Sequence, residues 1–83
     1  MKHITYFPQG TCSKQIDIDV EDGIVKNAFV LGGCHGNLQG VCALIRDMPV
    51  EQVINKLQGI RCGYKNTSCP DQIAKALMSA KAE

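Results

Sequence analysis

Cys12, Cys34, Cys62 and Cys69 each stand in a short loop-forming segment close to Gly, Pro or Asn, whereas the fifth cysteine, Cys42, falls on the apolar side of a helical pattern. Loops can gather thiols from distant parts of a chain around one ion, and thiolates are the ligands that zinc and iron–sulfur clusters take. The pattern therefore points to a cysteine-ligated metal site, with Cys12, Cys34, Cys62 and Cys69 as candidate ligands and Cys42 as a small core residue. The spacing alone leaves other thiol chemistry open. There is no C-x2-C pair, and the C-x6-C of Cys62 and Cys69 equally suits a reversible disulfide or thiols that are merely buried. His35, beside Cys34, is a further candidate ligand, although a histidine in a Gly-rich loop is commonly just exposed.

Two of these thiols sit where helices begin. Cys34 lies in Gly32-Gly33-Cys34-His35-Gly36, between a strand pattern and a helix pattern, and Cys69 precedes Pro70-Asp71 at the start of the last helix. Unpaired N–H groups and the helix dipole favour an anion there, and such a setting lowers a thiol's pKa. The same Gly-rich loop has the position of a phosphate loop but lacks the G-x-G-x-x-G and GK[S/T] patterns.

The elements that must position these residues fall into two halves. Ile4 to Phe7 is a short β-prone run stopped by Pro8. Ile16 to Glu21 alternates apolar and acidic residues strictly, which predicts a half-buried strand with Asp17, Asp19 and Glu21 on a solvated face. Asp22-Gly23 signals a tight hairpin, and Ile24 to Leu31 forms the apolar return strand. From Asn37 onward the pattern changes to a helical period. Leu38, Val41, Cys42 and Ile45 make one stripe, and Val50, Val53, Ile54 and Leu57, after Pro49 and before Gly59, make a second. Ile73, Ala76, Leu77 and Ala80 make a third, opened by Ser68-Cys69-Pro70-Asp71. Strands followed by helices predict an α+β fold over residues 1–83 as a single domain: about three antiparallel strands covered on one face by helices.

Composition narrows the function classes. At 83 residues the chain is near the size at which one core is marginal and a metal, disulfide or partner acts as a staple. The start MKHITYFPQG has no signal-peptide pattern and no stretch is long enough to span a bilayer, which makes a cytoplasmic location with reduced thiols the expectation. Nine basic residues against eight acidic ones are dispersed, and four aromatics are too few for a base-stacking platform, so nucleic acid is not an expected partner. A small sheet with an open edge also admits a homodimer.

Two resemblances add to this reading. Thr67-Ser68-Cys69-Pro70-Asp71 spells TSCPD, and over its whole length the chain resembles the small stand-alone members of the TSCPD-domain family. A related domain lies near the C-terminus of adenosylcobalamin-dependent ribonucleotide reductases. That resemblance implies a link to deoxyribonucleotide synthesis, with a ribonucleotide reductase as a partner for an accessory module. It does not imply reductase activity, because a chain this short cannot hold that enzyme's barrel and radical machinery.

The order of features from residues 9 to 81 is also similar to the IscU/NifU N-terminal iron–sulfur scaffolds. The matching features are Cys12 before an amphipathic strand, an acidic-Gly turn at Asp22-Gly23, Gly33-Cys34 after the return strand, Val50-Glu51 opening a short helix, and Cys69 opening the last one. This implies Cys12, Cys34 and Cys69 as ligands of zinc or a cluster, a NifU/IscU-like fold, and an iron–sulfur acceptor protein as partner. The chain departs from the scaffolds in having Lys14 where they carry an Asp that aids cluster release, and Ser68 where they carry a His. Cys62 has no scaffold counterpart and would complete a four-thiolate site, which suggests a more permanent site than a transfer scaffold needs. The expectation is a non-catalytic metal-binding domain holding zinc or an iron–sulfur cluster, with a reductase accessory module or a Cys62–Cys69 redox pair as the alternatives.

Overall fold

A computed structural model describes residues 2–11, 13–32 and 35–81, with the backbone alone for His35 and Lys81. The candidate ligands Cys12 and Cys34, and the side chain of His35, therefore lie outside the described residues. The chain runs through three strands, β1 (Lys2–Tyr6), β2 (Ser13–Glu21) and β3 (Ile24–Gly32), and then three helices, α1 (His35–Ile45), α2 (Val50–Leu57) and α3 (Cys69–Lys81). The fold is α+β, as the switch in hydrophobic period predicts. The strands form an antiparallel meander in the order β1-β2-β3, with Ile4 opposite Ile18 and Asp17 opposite Phe29.

The β2–β3 hairpin turns on Asp22 and Gly23, both at positive φ (54° and 75°), which is the two-residue geometry that matches the twist of paired strands. Two irregularities in the ladder matter more. Ser13 and Gln15 face the consecutive residues Gly32 and Leu31, which leaves Lys14 as an extra residue in β2. Asp19 and Val20 face Asn27 and Val25, which leaves Lys26 extra in β3. Each bulge reverses the in–out alternation beyond it. Counting back by twos from buried Ile18 and Ile16 would turn Lys14 inward. The bulge instead buries Ser13 and leaves Lys14 exposed.

One face of the sheet is packed against the helices. Ile16 and Ile18 of β2, Val25 of β3, Val53 of α2 and Ile73 and Leu77 of α3 are all essentially inaccessible to solvent. Each such side chain contributes about 1.5–3 kcal/mol relative to exposure. Cys42 lies in this core, as its place in the α1 stripe predicts, and burial pushes its thiol pKa up against the opposing charge of Arg46. The segment before α2 covers the first part of the free β3 edge. Val25 N–H donates to Met48 O at 2.9 Å, and Asp47 N–H to Val25 O at 2.7 Å.

The outer sheet face is less simply solvated than the alternation suggests. Asp17 and Asp19 are half-buried and bonded: His3 Nδ1 lies 2.6 Å from Asp19, His3 Nε2 lies 3.2 Å from Asp17, and Thr5 Oγ1 donates to Asp17 at 2.9 Å. Antiparallel register places His3 opposite Asp19 and Thr5 opposite Asp17, so these are cross-strand pairs that only the sheet brings together. Among the described residues, no helix is long and apolar enough to cross a membrane.

Candidate functional site

The meander puts the end of β1, the start of β2 and the end of β3 at one end of the sheet, as the pairs Tyr6–Ile16 and Ser13–Gly32 require. Thr11 and the first turns of α1 and α3 meet there. A cleft of about 190 Å³ at this end is lined by Thr11, Asn37, Leu38, Val41, Cys62, Lys65, Ser68, Cys69 and Pro70. Two of the four candidate ligands, Cys62 and Cys69, thus share one cleft although they come from different segments. Thr11 lines it too, and Thr11 is the sequence neighbour of Cys12. The first turns of α1, the helix that follows Cys34, supply Asn37, Leu38 and Val41. Cys62 is exposed and Cys69 is half-buried.

The T-S-C-P-D segment builds the wall that carries Cys69. Ser68 caps α3: its Oγ accepts the backbone N–H of Asp71 at 3.2 Å, the usual bond from an N-cap hydroxyl to the third helical residue. Pro70 occupies the first turn, where no intrahelical N–H bond is lost. The buried Asp71 carboxylate accepts the Gly59 N–H at 2.7 Å and the Thr67 hydroxyl, and Lys75 Nζ lies 3.6 Å away. Burial alone would push this carboxyl's pKa up. The bonds from Thr67 and Gly59, with the charge of Lys75, outweigh it and hold the pKa below the ordinary carboxylate value. Asp71 thereby ties the loop carrying Cys62 to the helix carrying Cys69.

The loop 58–67 is further closed by Cys62 N–H donating to Thr67 O at 3.2 Å and Lys65 N–H to Cys62 O at 3.0 Å. Gln72 links the next layer. Its Nε2 donates to Thr67 Oγ1 at 2.9 Å and its Oε1 accepts the N–H of Gln9 at 3.2 Å. Gly10, at φ +76°, passes so close that a Cβ there would lie 3.1 Å from Thr67 Cγ2. A side chain at this position would push the loop that leads into Cys12 away from the T-S-C-P-D segment.

Beside the cleft lies a pair of hydroxyls. Ser13 Oγ is 3.1 Å from Cys69 Sγ, and Thr11 Oγ1 is 2.8 Å from Ser13 Oγ. With Cys69 as a thiolate or a bound ligand, its sulfur can only accept. Ser13 then donates to sulfur and Thr11 donates to Ser13, so both hydroxyls are satisfied in one direction. Such bonds to a ligating sulfur tune a metal or cluster site.

Two of these residues escape a reading of the sequence. Asp71 carries a recognisable signal, the S-x-x-D spacing of a capping box, but its carboxylate turns to Gly59 and Thr67 in addition to what the helix needs. Ser13 carries none, because its inward position depends on the bulge at Lys14. Among the described residues, no group of three or more His, Cys, Asp or Glu stands ready to hold an ion. The donors that are described fit a soft metal: two thiols in a cleft walled by Leu38, Val41 and Pro70, with a hydroxyl on one sulfur.

A family model of the TSCPD domain matches residues 1–81. No curated protein and no solved structure matches the chain.

Proposed function

The chain belongs to the TSCPD domain family, and from that membership and the thiol cleft we propose that it is a cysteine-ligated metal-binding module, non-catalytic, holding zinc or an iron–sulfur cluster in a binding or accessory role. The observation that carries this reading is the shared cleft. Cys62 and Cys69 line it together with Thr11, the neighbour of Cys12, and with the first turns of the helix that follows Cys34. Cys12, Cys34, Cys62 and Cys69 would hold the group. A tetrahedral set of four sulfurs suits zinc and iron–sulfur alike.

What the group would supply is a crosslink between segments far apart in sequence. The chain's own residues do the rest. Asp71 fixes the spacing of the two described thiol segments, Ser13 Oγ stands within hydrogen-bond reach of the Cys69 sulfur, and Leu38, Val41 and Pro70 give the cleft an apolar wall.

The test is an absorption spectrum of protein purified without oxygen, together with elemental analysis for zinc, iron and acid-labile sulfide. Stoichiometric zinc, or iron with sulfide, supports the reading, as does loss of the metal from Cys69→Ser. Metal-free protein that loses two thiols on mild oxidation, at Cys62 and Cys69, would replace it with a thiol-redox role.

A further inference from the structure

Asp19, Glu21, Asp22 and Asp47 lie toward the β2–β3 hairpin, at the end of the sheet opposite the cleft. The three segments that meet at the cleft end, residues 6–15, 31–39 and 58–70, contain Lys14, Arg61 and Lys65 and no Asp or Glu. Asp71 borders them but is buried and bonded. Among the described residues, Lys14, Arg61 and Lys65 make no ion pair. An even overall charge therefore conceals a positive end. The same segments hold four of the exposed large apolar side chains: Phe7 (64% exposed), Leu31 (49%), Ile60 (41%) and Tyr64 (97%). Tyr64 stands almost wholly in solvent between Arg61 and Lys65, on a loop whose backbone is held at Gly59, Cys62 and Lys65 by hydrogen bonds.

We propose that this end of the molecule is a docking surface for an acidic segment of a partner protein, gripped by Arg61 and Lys65 with Tyr64 as the apolar anchor. Cations alone could serve to offset thiolate charge in the cleft. That role gives no reason to hold Tyr64 and Ile60 out in water on a pinned loop. Tyrosine and arginine are the residue types that carry binding energy at protein interfaces, because they combine apolar area with a directed polar group. Charge of one sign around them steers an oppositely charged partner to this end. Lys65 lines the cleft together with Cys62, so a partner seated on this loop would cover Cys62. The inference stands on charge and exposure and does not require the metal.

The test uses the isotope-labelled protein as purified and a synthetic peptide of alternating Glu and Leu, followed by amide chemical shifts. The expected result is perturbation concentrated on residues 58–67 and 7–15, with affinity weakened about tenfold or more by Tyr64→Ala and by Arg61→Glu with Lys65→Glu. Reversing Lys26 and Arg46, which lie toward the hairpin end of the sheet, should leave it unchanged. Equal weakening by the two charge-reversal pairs would overturn the proposal, since binding would then follow net charge. Tighter binding of a single-stranded oligodeoxynucleotide through the same residues would also overturn it, in favour of a polyphosphate ligand. Each result can be read whether or not the protein carries metal.

Discussion

Ser13 Oγ lies 3.1 Å from Cys69 Sγ, joining the first residue of β2 to the first residue of α3 across 56 positions of sequence. The contact exists because the bulge at Lys14 turns Ser13 inward. Ser13→Ala should cost about 1 kcal/mol of stability in urea unfolding, the net value of one such hydrogen bond. In metal-loaded protein it should also speed release of the ion to a chelator, while Ser13→Thr restores the wild-type rate. Unchanged release in the alanine variant would leave the hydroxyl a packing role alone.

Asp71→Asn should be more damaging, by about 1.5–3 kcal/mol, because bonds to a buried charged group are lost or weakened together. The sign of its pH dependence follows from the lowered pKa. The carboxylate contributes stability that is fully present above its unfolded value near 3.8 and is lost as pH falls through the lower folded value. Asp17 acts in the same direction: burial opposes ionisation, and bonds from Thr5, Gln15 and His3 outweigh it. Acid unfolding followed by circular dichroism should therefore show a shallower acid limb in Asp71→Asn than in the wild type.

His3 titrates in the opposite sense. Its hydrogen bond to Asp19, assisted by Asp17, raises its pKa above the usual 6.5 despite some desolvation. The stabilisation is fully present below the unfolded value and fades as pH rises through the folded one. An NMR titration should place the His3 midpoint above 6.5 in the wild type and lower in Asp19→Asn. The decline in stability as pH rises above 6.5 should vanish in His3→Ala.

The cysteines should separate by accessibility. In the presence of a chelator, Cys62 should alkylate in the native protein, because it is exposed. Cys42, 7% exposed and with its thiol pKa raised by burial, should react only on unfolding. Peptide-resolved mass spectrometry gives both rates in one experiment. Native labelling of Cys42 at the rate of Cys62 would mean that α1 does not pack as described.

Leu77 tests the core itself. It is 1% exposed where α3 meets the sheet, and Leu77→Ala should cost about 2–5 kcal/mol. In a domain of this size that is enough to leave much of the population unfolded, and thermal melting would show it.

By itself the sequence determined the elements and the buried stripes of the helices. The change from a two-residue to a 3.6-residue hydrophobic period places three strands before three helices. Asp22-Gly23 sets the hairpin, and the α1 stripe assigns Cys42 to the core, because side-chain direction repeats with a fixed local period. The helix start at Cys69 was legible for the same reason: caps and first-turn prolines are local chemistry. Tertiary structure alone decided what stands beside Cys69. Two bulges reset the strand alternation, one of them turning Ser13 inward in place of Lys14. Register brought His3 onto Asp19 and Asp17. The long-range bonds of Asp71 drew the loop of Cys62 to the helix of Cys69. Cys12 and Cys34 lie outside the described residues, so for them the ligand assignment still stands on sequence. Pairings between distant segments depend on how strands slip and how loops close, and no local pattern in the chain encodes either.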